Sequence, residues 1–223
     1  MIDVRLGAAC ALLSAALLAG AAGTAVRLRL PLGTPPFRPA ATLAEIRGRR
    51  PALLLRQLLL LAATLLLFPV GPALGRVLDG AGRITEVAVA AWMAGTAVAV
   101  ANDLLVVGAL VWMIPFHSAR DDAACDCLEG ARGKMDAAVR ATQLLGDALL
   151  IGIGAGVFAL AIARTGALPV WSGWLGMVAA VLGGFVHRPA ALLGRRGEVL
   201  RKMGAAGFVL FVLWLVAVGM TQR

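Results

Sequence analysis

Apolar and polar positions alternate along this chain in long blocks. Six almost wholly apolar stretches cover residues 6–26, 52–74, 87–114, 137–163, 168–186 and 203–220. At 1.5 Å per residue, each approaches or exceeds the ~30 Å of a bilayer's hydrocarbon core. Strand-like alternation does not recur, which argues against a β-barrel. The pattern therefore predicts an all-α, polytopic transmembrane bundle of six helices forming one domain over residues 1–223. The stretch 6–26 also resembles a cleavable signal peptide, with Arg5 before an apolar core and small residues at its end. Its apolar run is longer than a signal core, so a retained helix is expected.

The polar blocks set the orientation. Segments 27–51, 115–136 and 187–202 hold 14 Lys and Arg, whereas Arg5, Arg76, Arg83, Arg164 and Arg223 make 5 on the other side. By the positive-inside rule the first group faces the cytoplasm, so both termini face outward. The expected location is a bacterial cytoplasmic (inner) membrane. Within 27–51, four prolines at 30–39 predict an extended segment. Thr42-Leu43-Ala44-Glu45 has the form of a capping box, which predicts either a short interfacial helix over 43–49 or a lead-in to the second span, with Pro51 in its first turn. The connection at 165–167 is so short that the fourth and fifth helices must form a tight antiparallel hairpin.

Composition agrees with the blocks. The 223 residues are 61% hydrophobic and 15% charged, against about 25% charged in soluble domains. This excludes a disordered chain, a disulfide-stapled secreted module and an ordinary cytosolic enzyme. The net charge of +9 lies in short segments between apolar spans, so it reads as topology and not as a nucleic-acid footprint. Three cysteines, Cys10 in the first span and Cys125 and Cys127 as a C-x-C, form no disulfide framework. No nucleotide-binding, kinase or hydrolase motif occurs. The glycine run at 152–156 lies mid-span without the lysine of a phosphate loop.

The segment at 166–176, Gly-Ala-Leu-Pro-Val-Trp-Ser-Gly-Trp-Leu-Gly, resembles a hairpin motif of small bacterial membrane proteins. The stretch 39–57 resembles a segment of one such family, a domain of unknown function with about this length and six helices. That resemblance, over about half the chain, implies an architecture and no activity or cofactor.

Candidate chemistry lies where polar residues interrupt the spans, because an ionisable group at bilayer depth is costly unless paired or wetted. Asn102 and Asp103 sit near the middle of the third span, and Asp147 lies ten residues into the fourth. Asp136, Arg140, Gln143 and Asp147 share one helical face, as do Thr96 with Asp103 and Gln57 with Thr64. Arg56 precedes Gln57 in the second span. These residues predict an intramembrane polar cluster. It is either structural glue, in which Arg56 and Arg140 pair with the acids, or an ion or proton path through Asp103 and Asp147. A second constellation, His117, Asp121, Asp122, Cys125, Asp126 and Cys127 with His187, would suit zinc or copper, or a haem held by His117 and His187. The competing reading is an exposed acidic loop. The pairs Gly71/Gly75 and Gly152/Gly156 fit close helix approach. The sixth span, free of ionisable residues and carrying Phe208, Phe211 and Trp214, is expected to face lipid or a partner subunit. Trp112, Trp171 and Trp174 suit interface anchors, whereas Trp92 and Trp214 suit packing residues equally well.

Three functions follow as expectations. The first is a subunit or accessory of a larger membrane assembly, with lipid, other membrane subunits or further copies of itself as partners. The second is a small transporter or proton-coupled permease using Asp103 and Asp147. The third is a redox or metal protein using His117 and His187.

Overall fold

The computed structural model describes residues 3–27, 43–113, 122–186 and 197–222. Among these residues there is no strand. The helices are α1 (Val4–Arg27), α2 (Leu43–Leu67), α3 (Val70–Val77), α4 (Arg83–Gly108), α5 (Asp122–Asp147), α6 (Gly156–Thr165), α7 (Val170–Ala179) and α8 (Gly197–Thr221). Three wider π-helical segments prolong them. Ala109–Met113 continues α4, Ala148–Ala155 joins α5 to α6, and Ala180–Val186 continues α7. Among the described residues five helical stretches are long and apolar enough to cross a membrane: Val4–Arg27, Arg49–Val77, Arg83–Val111, Ala137–Thr165 and Lys202–Thr221. These mark a membrane protein. The remaining apolar helix, Val170–Val186, has 17 residues and is shorter than the others.

Helix ends run well past the apolar limits read from sequence. The short helix expected over 43–49 is the first part of α2, and Pro51 sits inside that helix, not in its first turn. Likewise α5 begins at Asp122, so Cys125 and Cys127 occupy helical backbone where a loop was expected. The reason is physical. Arg, Lys, Glu and Leu are good helix formers, so backbone hydrogen bonding continues beyond the hydrocarbon-compatible residues. The second span, expected as one piece over 52–74, breaks instead at Phe68 and Pro69 into α2 and α3. Proline has no N–H to donate to the preceding turn, and it pushes the residue before it out of helical geometry.

Each apolar helix packs against the one before it in the chain, and the last returns to the first. Ser14 Oγ donates to the Ala63 carbonyl at 3.0 Å, tying α1 to α2. Arg50 Nε donates to the Leu110 carbonyl at 3.1 Å and Trp92 Nε1 to the Leu67 carbonyl at 2.8 Å, setting the register of α2 on α4. Thr142 meets Asn102 at 2.9 Å between α5 and α4. The α6–α7 connection is the tight turn that its length demands. Gly166, at φ +65°, caps α6 in the left-handed region, and its N–H donates to the Ile162 carbonyl at 3.0 Å. Pro169 then starts α7. Gly219 on α8 seats against Leu12 and the Ala8 carbonyl of α1, which closes the ring.

Glycine sets the closest approaches. A Cβ on Gly95 would fall on the backbone of Leu150, one on Gly184 on that of Gly152, and one on Gly207 on that of Gly183. The expected small-residue pairs do something more specific. Gly71 and Gly152 leave room for the rings of Trp92 and Phe185.

The expectation for the sixth span is corrected here. Phe211 and Trp214 of α8 do not point outward but are fully buried, against Trp92 of α4 and Phe158 of α6. Ring centroids lie 5.8 Å apart for Trp92–Phe158, 6.0 Å for Trp92–Trp214 and 6.1 Å for Phe211–Trp214. Helices packed side by side around a ring leave a gap along its axis, and four large rings fill it. Trp171 and Trp174 are exposed, as suits interface anchors.

Candidate functional site: a buried polar cluster between α2, α4 and α5

Asp103 stands on the face of α4 that meets α2. Its carboxyl group is shut away from the surface, with Asp103 7% exposed and Gln57 2%. Gln57 Nε2 donates to Asp103 Oδ1 at 2.6 Å. Thr64 lies seven residues, or two turns, along α2 on the same side, and its hydroxyl is 2.9 Å from Asp103 Oδ2. The same hydroxyl is 2.7 Å from the Leu60 carbonyl of its own helix. The i, i+7 spacing of Gln57 and Thr64 thus places one α2 side chain on each carboxyl oxygen.

Arg56 is the buried basic member, 7% exposed, and it bears electrostatically on Asp103. Its Nε is buried and has no hydrogen-bond partner. Asp147, half-buried at the end of α5, also acts on Asp103 through space. Next to Asp103, Asn102 turns toward α5 and meets Thr142, a residue that sequence reasoning passed over. The signal for it was present, since Thr142 lies next to Gln143 on the polar side of that helix. Gln143 is half-buried and Arg140 is exposed, so the expected polar stripe on α5 runs from the interior to the surface. The sequence could not rank the two arginines; in the structure Arg56 is the one buried beside the acid. Thr96 is fully buried and bonded to the Trp92 carbonyl at 2.8 Å, away from Asp103.

The cluster is off-centre. Arg56 lies seven residues from Arg49 and Asp103 eight from Val111, which puts both about 10–12 Å inside the same end of their helices. Sequence placed Asp103 near mid-span; the longer observed helix shifts it toward the Arg50 end. The aromatic quartet lies toward the other end, with Trp92 eleven residues before Asp103 on α4.

The expected metal or haem constellation is not assembled by what is described. His117 and His187 lie outside the described residues, as does the proline segment 30–39. Among the described residues no group of three or more His, Cys, Asp or Glu gathers as metal ligands would. A groove of about 420 Å³ lies on α1, lined by Arg5, Ala8, Ala9 and Leu12, and shares no residue with the polar cluster.

The chemistry open to the cluster is that of hydrogen bonds and protons. Its groups are one carboxylic acid with two neutral neighbours, one buried guanidinium with an unused donor, and a second acid within electrostatic reach. Comparison of the chain with known protein families, curated proteins and solved structures finds no match, so its functional reading rests on this geometry.

Proposed function

We propose that the chain is a six-crossing protein of a bacterial cytoplasmic membrane, both termini outside, that works as a subunit or accessory of a larger membrane assembly. The observation that carries this reading is where its side chains are spent. Asp103, Gln57, Thr64, Asn102 and Thr142 bond one another between helices, and the axis is filled by four aromatic rings. Large apolar side chains such as Leu13, Leu55, Leu65, Leu104 and Leu213 face outward. Such a molecule presents its lateral surface, to lipid and to other helices.

The test is purification of the natively expressed, tagged chain in mild detergent, read by mass spectrometry, absorbance and metal analysis. A stoichiometric membrane-protein partner supports the proposal. A lone, colourless, metal-free protein removes it, and a Soret band or stoichiometric metal would turn attention to His117 and His187.

A second reading, a small proton-coupled permease, is favoured by one observation. Arg56 carries an unpartnered N–H beside Asp103, on which a second acid, Asp147, also acts. In proteoliposomes this reading expects Asp103→Asn and Asp147→Asn to abolish flux in protein that still folds. Unchanged flux in both variants removes it.

A further inference from the structure

Counting hydrogens around Thr64 leads to a chemical assignment that neither functional reading requires. The Thr64 hydroxyl has two oxygen neighbours at hydrogen-bond distance, Leu60 O at 2.7 Å and Asp103 Oδ2 at 2.9 Å. One proton shared between two acceptors makes longer, bent bonds, so two contacts this short are best served by a proton each. Threonine supplies one proton and two acceptor lone pairs, whereas the Leu60 carbonyl can only accept. A hydroxyl on a helix at this i, i−4 spacing gives its proton to the backbone carbonyl. The second proton then has to come from the carboxyl group. Turning the Gln57 amide over would set its Oε1 against Asp103 Oδ1, a contact that itself calls for a proton on the acid.

We infer that Asp103 is a neutral carboxylic acid, a buried proton-binding site in which Asp103 Oδ2–H donates to Thr64, Thr64 donates to the Leu60 carbonyl, and Gln57 donates to Asp103 Oδ1. Every member of that chain is satisfied. A carboxylate in the same place leaves the Thr64–Asp103 and Thr64–Leu60 contacts to share one proton, at distances short enough for one each. The charged groups that bear on Asp103 come from both flanking helices, Arg56 from α2 and Asp147 from α5. The Nε of Arg56 donates to nothing, as fits a carboxyl group that offers it no negative charge.

Asparagine at position 103 has the shape of the protonated acid, with Oδ1 to accept from Gln57 and Nδ2–H to donate to Thr64. The full-length protein in lipid vesicles at neutral pH is therefore read two ways. Infrared difference spectroscopy, with and without ¹³C-carboxyl aspartate, is expected to show the C=O stretch of a protonated acid in the wild type. That band should vanish in D103N and persist in D147N. The thermal midpoint of D103N should stay within about 4 °C of wild type, while T64V, which strands the acid's proton, falls further. An absent acid band in the wild type overturns the assignment, as does a band that D147N abolishes and D103N keeps. So does a D103N midpoint lower by roughly 6–20 °C, or a D103N that does not fold, because an ionised Asp103 would leave Arg56 buried without its counter-charge. These readouts need no transported solute, so failure of the permease reading and failure of this inference are separate results.

Discussion

Replacing Gly95 by alanine adds one methyl group at the tightest point between α4 and the π segment Ala148–Ala155. The new Cβ would fall on the Leu150 backbone nitrogen, 2.7 Å from Leu150 Cα and 2.8 Å from Leu149 C. Ordinary carbon contacts lie near 3.5–4.0 Å. The two helices must therefore separate by about 1 Å, and no side chain can yield instead, because the obstructing atoms are backbone. Overpacking of this kind costs about 1–3 kcal/mol, and the rigid neighbour places G95A at the upper end. Gly108, on the same helix, provides the comparison, since nothing lies within 4 Å of a Cβ built there. Gly108→Ala gains up to ~1 kcal/mol of helix propensity. Gly95→Ala gains the same propensity, so the gap between the two variants is the overpacking cost, about 2–3 kcal/mol, measured by reversible unfolding in mixed detergent micelles. Equal stabilities would refute the close approach of α4 and Ala148–Ala155, and with it the register that places Asn102 against Thr142.

Three further changes test other parts of the interior. Trp214→Phe removes an indole N–H that is buried without a partner, so it should be neutral or slightly stabilising, whereas Trp214→Ala should cost about 3–5 kcal/mol by the same unfolding assay. Arg50→Met deletes the bonds to the Leu110 and Val111 carbonyls, at 3.1 and 3.4 Å, that tie α2 to the end of α4. A loss of about 1–2 kcal/mol is expected, with faster amide exchange over Ala109–Met113. Arg56→Met replaces a buried guanidinium whose Nε is unpaired by an apolar side chain of similar length, and should raise stability by about 1–3 kcal/mol. A strongly destabilised Arg56→Met would mean that Asp103 carries the opposite charge.

The helices were readable because runs such as 58–61 allow little else, and the hairpin at 165–169 because its length leaves one geometry. The pairing of α2 with α4 through Gln57, Thr64 and Asp103 was half readable. Spacing of seven put Gln57 and Thr64 on one face, but nothing in the sequence ordered the helices around the ring. Burial of Arg56 and exposure of Arg140 were not readable, because a long arginine follows the rotation of its helix and its own flexible stem. Phe211 was misplaced, and Trp214 was left open between surface and core, for a related reason. Lipid and protein core are equally apolar, so hydropathy does not tell the inside of a membrane bundle from its outside. The π segments left no compositional trace. They coincide with the close contacts at Leu150, Gly152, Gly183 and Gly184, which are properties of the packed molecule.

The ring closes in chain order, and this has a consequence for its synthesis. Every helix through α7 finds a partner in the segment made just before it, so the growing chain can assemble pair by pair as it enters the bilayer. The first helix is the exception: its second flank, at Ala8 and Leu12, waits for Gly219 of α8. A nascent chain therefore carries an open seam until α8 has been made. A premature stop before α8 would leave that seam permanently open and offer α1 to whatever helix is nearby.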